Sequence, residues 1–160
     1  MALKKPLVIS SGQVQQLQSG DTLDAPMTAV DIVVATNSNA GAIVIGSPVY
    51  PDGNDSVDLG KADASGTVEL LGLVRDTTIG IAGSGEIQTD GVLAATTGQW
   101  DAVTGDSGGL TAGTVYYLDP STAGMLTDTA PSTAGQFVVR VGLATSTTEM
   151  EIGVEPPIKL

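Results

Sequence analysis

Short runs of β-branched and aliphatic residues, separated by turn-forming residues, recur along the whole chain. They predict strands over Pro6–Ser10, Val14–Leu17, Val30–Thr36, Ala42–Tyr50, Thr67–Val74, Thr78–Ala82, Glu86–Ala94, Thr114–Leu118, Gln136–Ala144 and Thr148–Glu155. Val138-Val-Arg-Val and Glu149-Met-Glu-Ile alternate as strands with one buried face do. Ile32-Val-Val and Ile43-Val-Ile are unbroken apolar runs, the pattern of strands covered on both faces. Every window of helical length is interrupted by Gly, Pro or clustered β-branched residues, so no amphipathic helix is predicted.

The turn signals have their own order. Thr-Ala-Gly occurs at Thr111, Thr122 and Thr133, eleven residues apart each time, a spacing suited to successive antiparallel strands of a sandwich or barrel. Leu71-Gly-Leu-Val-Arg-Asp-Thr-Thr echoes Val141-Gly-Leu-Ala-Thr-Ser-Thr-Thr as a strand running into a turn, a match short enough to arise by chance from common β residues. The expected fold is all-β: an antiparallel β-sandwich or jelly-roll-like barrel over residues 26–153, with an extended N-terminal arm over 1–25 and a C-terminal tail over 154–160. Pro156 and Pro157 exclude the tail from a central strand because they lack ladder donors. Frayed termini are the commoner reading of such ends, but both carry apolar residues that a solvated tail does not need, which docking on a neighbouring subunit would explain. Leu3, Leu7, Val8, Ile9, Ile158 and Leu160 are candidate interface residues, with Lys4 and Lys5 beside them.

Composition narrows the function. Aromatics are 3% of the 160 residues, so Val, Ile, Leu and Ala must fill the interior. Six basic residues stand against eighteen acidic ones, for a formal charge of −12. Such a chain cannot neutralise phosphates, which argues against nucleic acid and against an anionic membrane surface as partners. The apolar stretch Leu7–Ile9 is too short for a signal-peptide core, and no window approaches a membrane span; synthesis and use in a cytosol is the expectation. With no Cys, disulfides and thiolate chemistry are excluded.

Three stretches resemble functional motifs. Thr104-Gly-Asp-Ser-Gly-Gly-Leu contains the string that surrounds the nucleophile of trypsin-like proteases, but a neutral hydroxyl needs a base and the chain has no His. A Gly-rich loop accounts for Ser107 and its neighbours. Asp52, Asn54, Ser56 and Asp58 alternate like half a calcium loop; Val57 stands where that loop needs Gly and Asp63 where it needs Glu. A solvated acidic turn is the plainer reading, with calcium as the alternative. Glu149 and Glu151 read as a charged outer strand face, with no acid–base role. Trp100, the only tryptophan, is expected as a core or interface anchor and joins the interface candidates. Tyr116 and Tyr117 must face opposite sides of their strand. No catalytic, cofactor-binding or metal-ligating residue is assigned, and a non-enzymatic structural or binding protein is expected.

Gln99-Trp-Asp-Ala-Val-Thr-Gly, Gly109-Leu-Thr-Ala-Gly-Thr-Val-Tyr-Tyr-Leu and the run from Gly124 to Ala144 resemble stretches of tailed-bacteriophage virion proteins. Leu7-Val-Ile-Ser-Ser-Gly-Gln-Val-Gln-Gln-Leu-Gln-Ser-Gly-Asp-Thr-Leu resembles an N-terminal piece of such proteins. In size and layout the chain is most similar to the capsid decoration, or cement, proteins, small β-sandwich subunits on the outer capsid. The resemblance implies a virion structural protein made in the host cytoplasm, with the major capsid protein and further copies of itself as partners, a trimer before a dimer. A head-fibre or tail-associated adhesion module is the alternative it implies.

Overall fold

The computed structural model describes residues 7–10, 13–16 and 30–160, and over these the chain is all-β with one short helix. Leu3, Lys4 and Lys5 lie outside the described residues. Near the N-terminus, β1 (Leu7–Ser10) pairs antiparallel with β2 (Gln13–Gln16), Leu7 opposite Gln16 and Ser10 opposite Gln13. The stretch expected to be an extended arm therefore contains a hairpin, in which the chain doubles back within ten residues.

The first half of the body is a closed barrel. Its strands are β3 (Ile32–Asn37), β5 (Pro48–Gly53), β6 (Ser56–Leu59), β7 (Gly72–Val74) and β9 (Ser84–Gln88), joined in the order β3-β6-β5-β7-β9 and back to β3. All its pairs are antiparallel except β3 with β6, which run parallel at Thr36 and Asn37. β4 (Ile43–Val44) and β8 (Thr78–Ile79) pair with each other and send Ile43 and Ile79 into the same interior as Ala35, Val49, Val57, Val74 and Ile87. Small aliphatic residues fill a barrel this narrow without any aromatic ring. Asn37 is the polar exception. Its amide donates to the carbonyls of Gly41, Ile79 and Gly80 at 2.9, 3.0 and 3.1 Å, and its Oδ1 accepts from Asn39 N at 2.8 Å. A buried amide with this many partners ties the end of β3 to the turn after β8.

The second half is an open antiparallel sheet, ordered β10-β15-β14-β11-β12, from β10 (Gly91–Ala94), β11 (Val115–Leu118), β12 (Leu126–Thr127), β14 (Arg140–Ala144) and β15 (Glu149–Ile152). Its core contains Leu93, Tyr116, Leu118, Val141, Met150 and Ile152, and extends into the first half through Ile45, Ala62, Val68 and Leu73. Backbone bonds stitch the halves as well: Ala62 N to Asp119 O, Phe137 N to Ala62 O and Gly124 N to Gly60 O. Barrel and sheet are thus two cores within one continuous body.

Against expectation a helix is present, α1 (Thr97–Thr104). Its signal is local. Thr96 and Gln99 form a capping box, Thr96 Oγ1 accepting from Gln99 N at 3.3 Å and Gln99 Oε1 from Thr96 N at 2.8 Å. At the other end Gly105 takes φ 77°, the left-handed conformation that closes helices, and its N–H donates to Asp101 O. Only Trp100 and Val103 face inward, one turn apart, so the apolar stripe is too short to register as a period.

The Thr-Ala-Gly turns are one device used three times. Gly113, Gly124 and Gly135 all have φ between 76° and 90°, and the N–H after the glycine reaches back to the threonine carbonyl at Thr111 and Thr133 (3.1 Å each). That is the glycine requirement of a type II turn. The C-terminal tail is also part of the body: β16 (Ile158–Lys159) pairs antiparallel with β13 (Phe137–Val138), and Gly135 N donates to Leu160 O at 3.0 Å. The prolines precede this strand and Val154 packs on the second core.

Candidate functional site

Trp100 is not an interface residue. It is 0% exposed in the chain's own second core, with Nε1 donating to Thr148 O at 3.1 Å, so no partner can reach it. Ile158 and Leu160 do stand out, 63% and 44% exposed beside β13. Leu7, Val8 and Ile9 form most of β1.

The largest departure lies in β3. Ile32-Val-Val, expected to be covered on both faces, is instead exposed on both: Ile32 at 40%, Val33 at 42% and Val34 at 63%. The barrel interior takes the odd positions only from Ala35 onward, where Ala35 and Asn37 are buried. Val33 therefore opens at the barrel mouth, while Ile32 and Val34 lie on the outer face. Val30 and Val92 are also partly exposed. They line an open groove of about 320 Å³ between the barrel and β10, together with Arg75, Glu86, Gln88 and Leu93. Arg75 pairs with Glu86, its neighbour on the barrel wall of this groove, and Asp76 Oδ2 accepts from Glu86 N at 2.9 Å. The pair is solvent-exposed and contributes little to stability. The sequence did mark this patch as apolar; what it could not give is which apolar run the tertiary fold leaves uncovered.

Charge is distributed unevenly around this surface. Residues 30–160 hold sixteen of the eighteen acidic residues and four of the six basic ones, so they carry the whole formal −12. Those four are engaged on the chain itself: Lys61 with Asp63 at 2.7 Å, Arg75 with Glu86, Arg140 with Glu155 at 2.6 Å, and Lys159 over the Phe137 ring at 5.9 Å.

The motif-like stretches resolve into structure. Asp52–Asp58 is the hairpin between β5 and β6, so it is more than the solvated turn expected. Asp52 Oδ1 accepts from Ser56 Oγ at 2.8 Å, while Asp58 Oδ1 turns to Asn39 Nδ2 and its own strand's Leu59 N, both at 2.7 Å. Nearby Tyr50 has its phenol pushed up, by burial first and then by the Asp58 and Asp52 charges. Ser107 is exposed in the loop after α1. There Gly105, Gly108 and Gly109 all adopt positive φ, and Gly109 N donates to Asp101 Oδ1 at 2.7 Å. Asp101 thus holds the backbone of the loop. A serine-directed fluorophosphonate is expected to leave the protein unlabelled, because the sequence has no histidine base to activate Ser107. Stoichiometric labelling at Ser107, read by intact mass, would overturn that expectation. Glu149 and Glu151 point outward from β15 while Met150 and Ile152 point in, and Tyr116 is buried while Tyr117 is partly exposed. Comparison with protein-family models and with curated proteins found no match.

Proposed function

We propose that the chain is a virion structural protein of the decoration, or cement, type, which binds the outer surface of a capsid and stabilises contacts between capsomers. The observation that carries this reading is the exposed apolar strand β3, Ile32–Val34, set on a body of formal charge −12. Apolar patches of this kind, rimmed by polar residues, mark protein–protein contact. An acidic body whose four basic residues are already engaged is suited to protein partners and repels nucleic acid and other acidic surfaces. The resemblance of the N-terminal stretch and of residues 99–105, 109–118 and 124–144 to phage virion proteins points the same way. The partners are the major capsid protein and further copies of this chain in a symmetric oligomer, a trimer before a dimer.

Binding to undecorated capsids tests the proposal. Full-length protein should co-sediment with capsids in stoichiometric, many-copy amounts. A few copies per virion would favour the fibre or tail adhesion module, and no binding would remove the capsid reading. A chain lacking residues 1–20 should keep its β circular-dichroism spectrum and cooperative melt. It should bind capsids more weakly by a factor on the order of 100, the scale that multivalent attachment supplies. Unchanged binding would make the N-terminal stretch a passive tail; loss of folding would make it part of the core.

A further inference from the structure

We infer that the open edge of β3 takes up the β1–β2 hairpin of a second copy of this chain, by strand addition. The edge is defined by backbone direction. Thr36 N bonds to Asp55 O and Ser38 N to Val57 O on the β6 side, whereas Asn37 N bonds to Gly83 O on the β9 side. Alternation then turns the N–H and C=O of Ile32 and Val34 away from β9. β6 begins opposite Thr36, so among the described residues these four groups face no strand. Sheet edges are ordinarily blunted by Lys, Pro, a bulge or an inward charge. Ile32-Val-Val-Ala has none of these, and its three large side chains are exposed.

The hairpin is the complementary half. Among the described residues β1 and β2 pair only with each other, over four residues each. An isolated two-stranded hairpin is marginal in water, and a third strand is what stabilises it. Its first strand, Leu7-Val-Ile-Ser, is β-favouring, and the six residues ahead of it hold both of the basic residues found outside 30–160. The six residues ahead of the hairpin carry Lys4 and Lys5 and are attracted to a body of charge −12, whereas two bare β3 edges would meet with no such basic segment between them. Charge therefore selects the hairpin over a second β3 as the occupant. Backbone bonds supply affinity in this mode, and side chains of alternate positions supply fit. The inference concerns copies of the chain in solution and stands or falls independently of the capsid.

Two measurements test it. In sedimentation the wild-type chain should be an oligomer, and Val34→Lys, which charges the edge without touching either core, should drop to the mass of one chain with its circular dichroism unchanged. A monomeric wild type, or an oligomer that survives Val34→Lys, overturns the inference. Because the chain has no cysteine, engineered thiols report unambiguously. Leu7→Cys, Val8→Cys and Ile9→Cys chains, each mixed with a Val34→Cys chain and oxidised, scan the register. At least one mixture should give a crosslinked heterodimer well above either chain alone. Crosslinking confined to Val34→Cys homodimers would show edge-to-edge pairing. Intrachain closure of an Ile9→Cys, Val34→Cys double variant without heterodimers would show the hairpin on its own edge. Either result overturns the inference, as does the absence of any crosslink.

Discussion

Trp100→Ala is expected to cost about 3–5 kcal/mol of folding stability, the range for emptying a large aromatic site. For a domain whose total is about 5–15 kcal/mol, that is enough to leave it marginal. The ring sits at the junction of the two halves. It projects from α1 onto the turn between β4 and β5, where a Cβ added to Gly46 would lie 3.0 Å from Trp100 Cζ3. Its N–H donates to Thr148 O, the carbonyl just ahead of β15, which also accepts from Ala95 N, so truncation removes one of that carbonyl's two hydrogen bonds. Urea denaturation followed by circular dichroism measures the loss, and Trp100→Phe should recover a substantial part of it. An interface anchor would behave differently, lowering oligomer affinity while leaving the monomer's stability intact. A cost below about 1 kcal/mol would contradict the burial found for this side chain.

How much of this was legible beforehand depends on whether the signal was local. The turns were: Thr-Ala-Gly specifies a left-handed glycine at each of its three occurrences, and all three adopt it. So was alternation where one face is solvated, as in β15 and at Tyr116-Tyr117. Strand divisions were not. Ala42–Tyr50 reads as one run, yet it turns at Ile45-Gly46, sending Ile43 into the barrel core and Ile45 into the second core. Glu86–Ala94 is likewise shared between β9 of the barrel and β10 of the sheet. Apolar residues continue through such a crossing because two cores need them, and periodicity has no means of marking the change of partner. In the Asp52–Asp58 hairpin the alternating oxygens suggest a loop, whereas Val57 beside Asp58 belongs to the barrel core. For the candidate surface the lesson is sharper. Ile32-Val-Val has the composition of a doubly covered strand, and only the register of β3 with β9 and β6 reveals that nothing described covers its edge.

Gly72→Ala should destabilise the protein by about 3 kcal/mol or more, at the upper end of overpacking costs. The sign is opposite to the usual benefit of replacing glycine within a strand. Gly72 is buried in β7, and a Cβ there would lie 2.2 Å from Gln88 O, 2.9 Å from Gln88 C and 3.1 Å from Thr89 Cα. All three are backbone atoms at the end of β9, a strand held by β3 on one side and β7 on the other. Relief would require β9 to part from one of them and so open the barrel. Gly142, its counterpart in the echoed segment, would meet Glu151 O at 2.5 Å and the Met150 side chain at 2.8 Å. Both glycines therefore stand where a neighbouring strand's backbone passes too close for a side chain, a demand the two positions share. Gly98→Ala supplies the control. It lies in the first turn of α1 with open space around the added methyl, and should stabilise by up to about 1 kcal/mol. Thermal melts of the two variants, compared with the parent at one concentration, should rank Gly98→Ala above the parent and Gly72→Ala below it. Parity between Gly72→Ala and the parent would mean that β9 does not pass that close, and the closure of the barrel at β7–β9 would have to be redrawn.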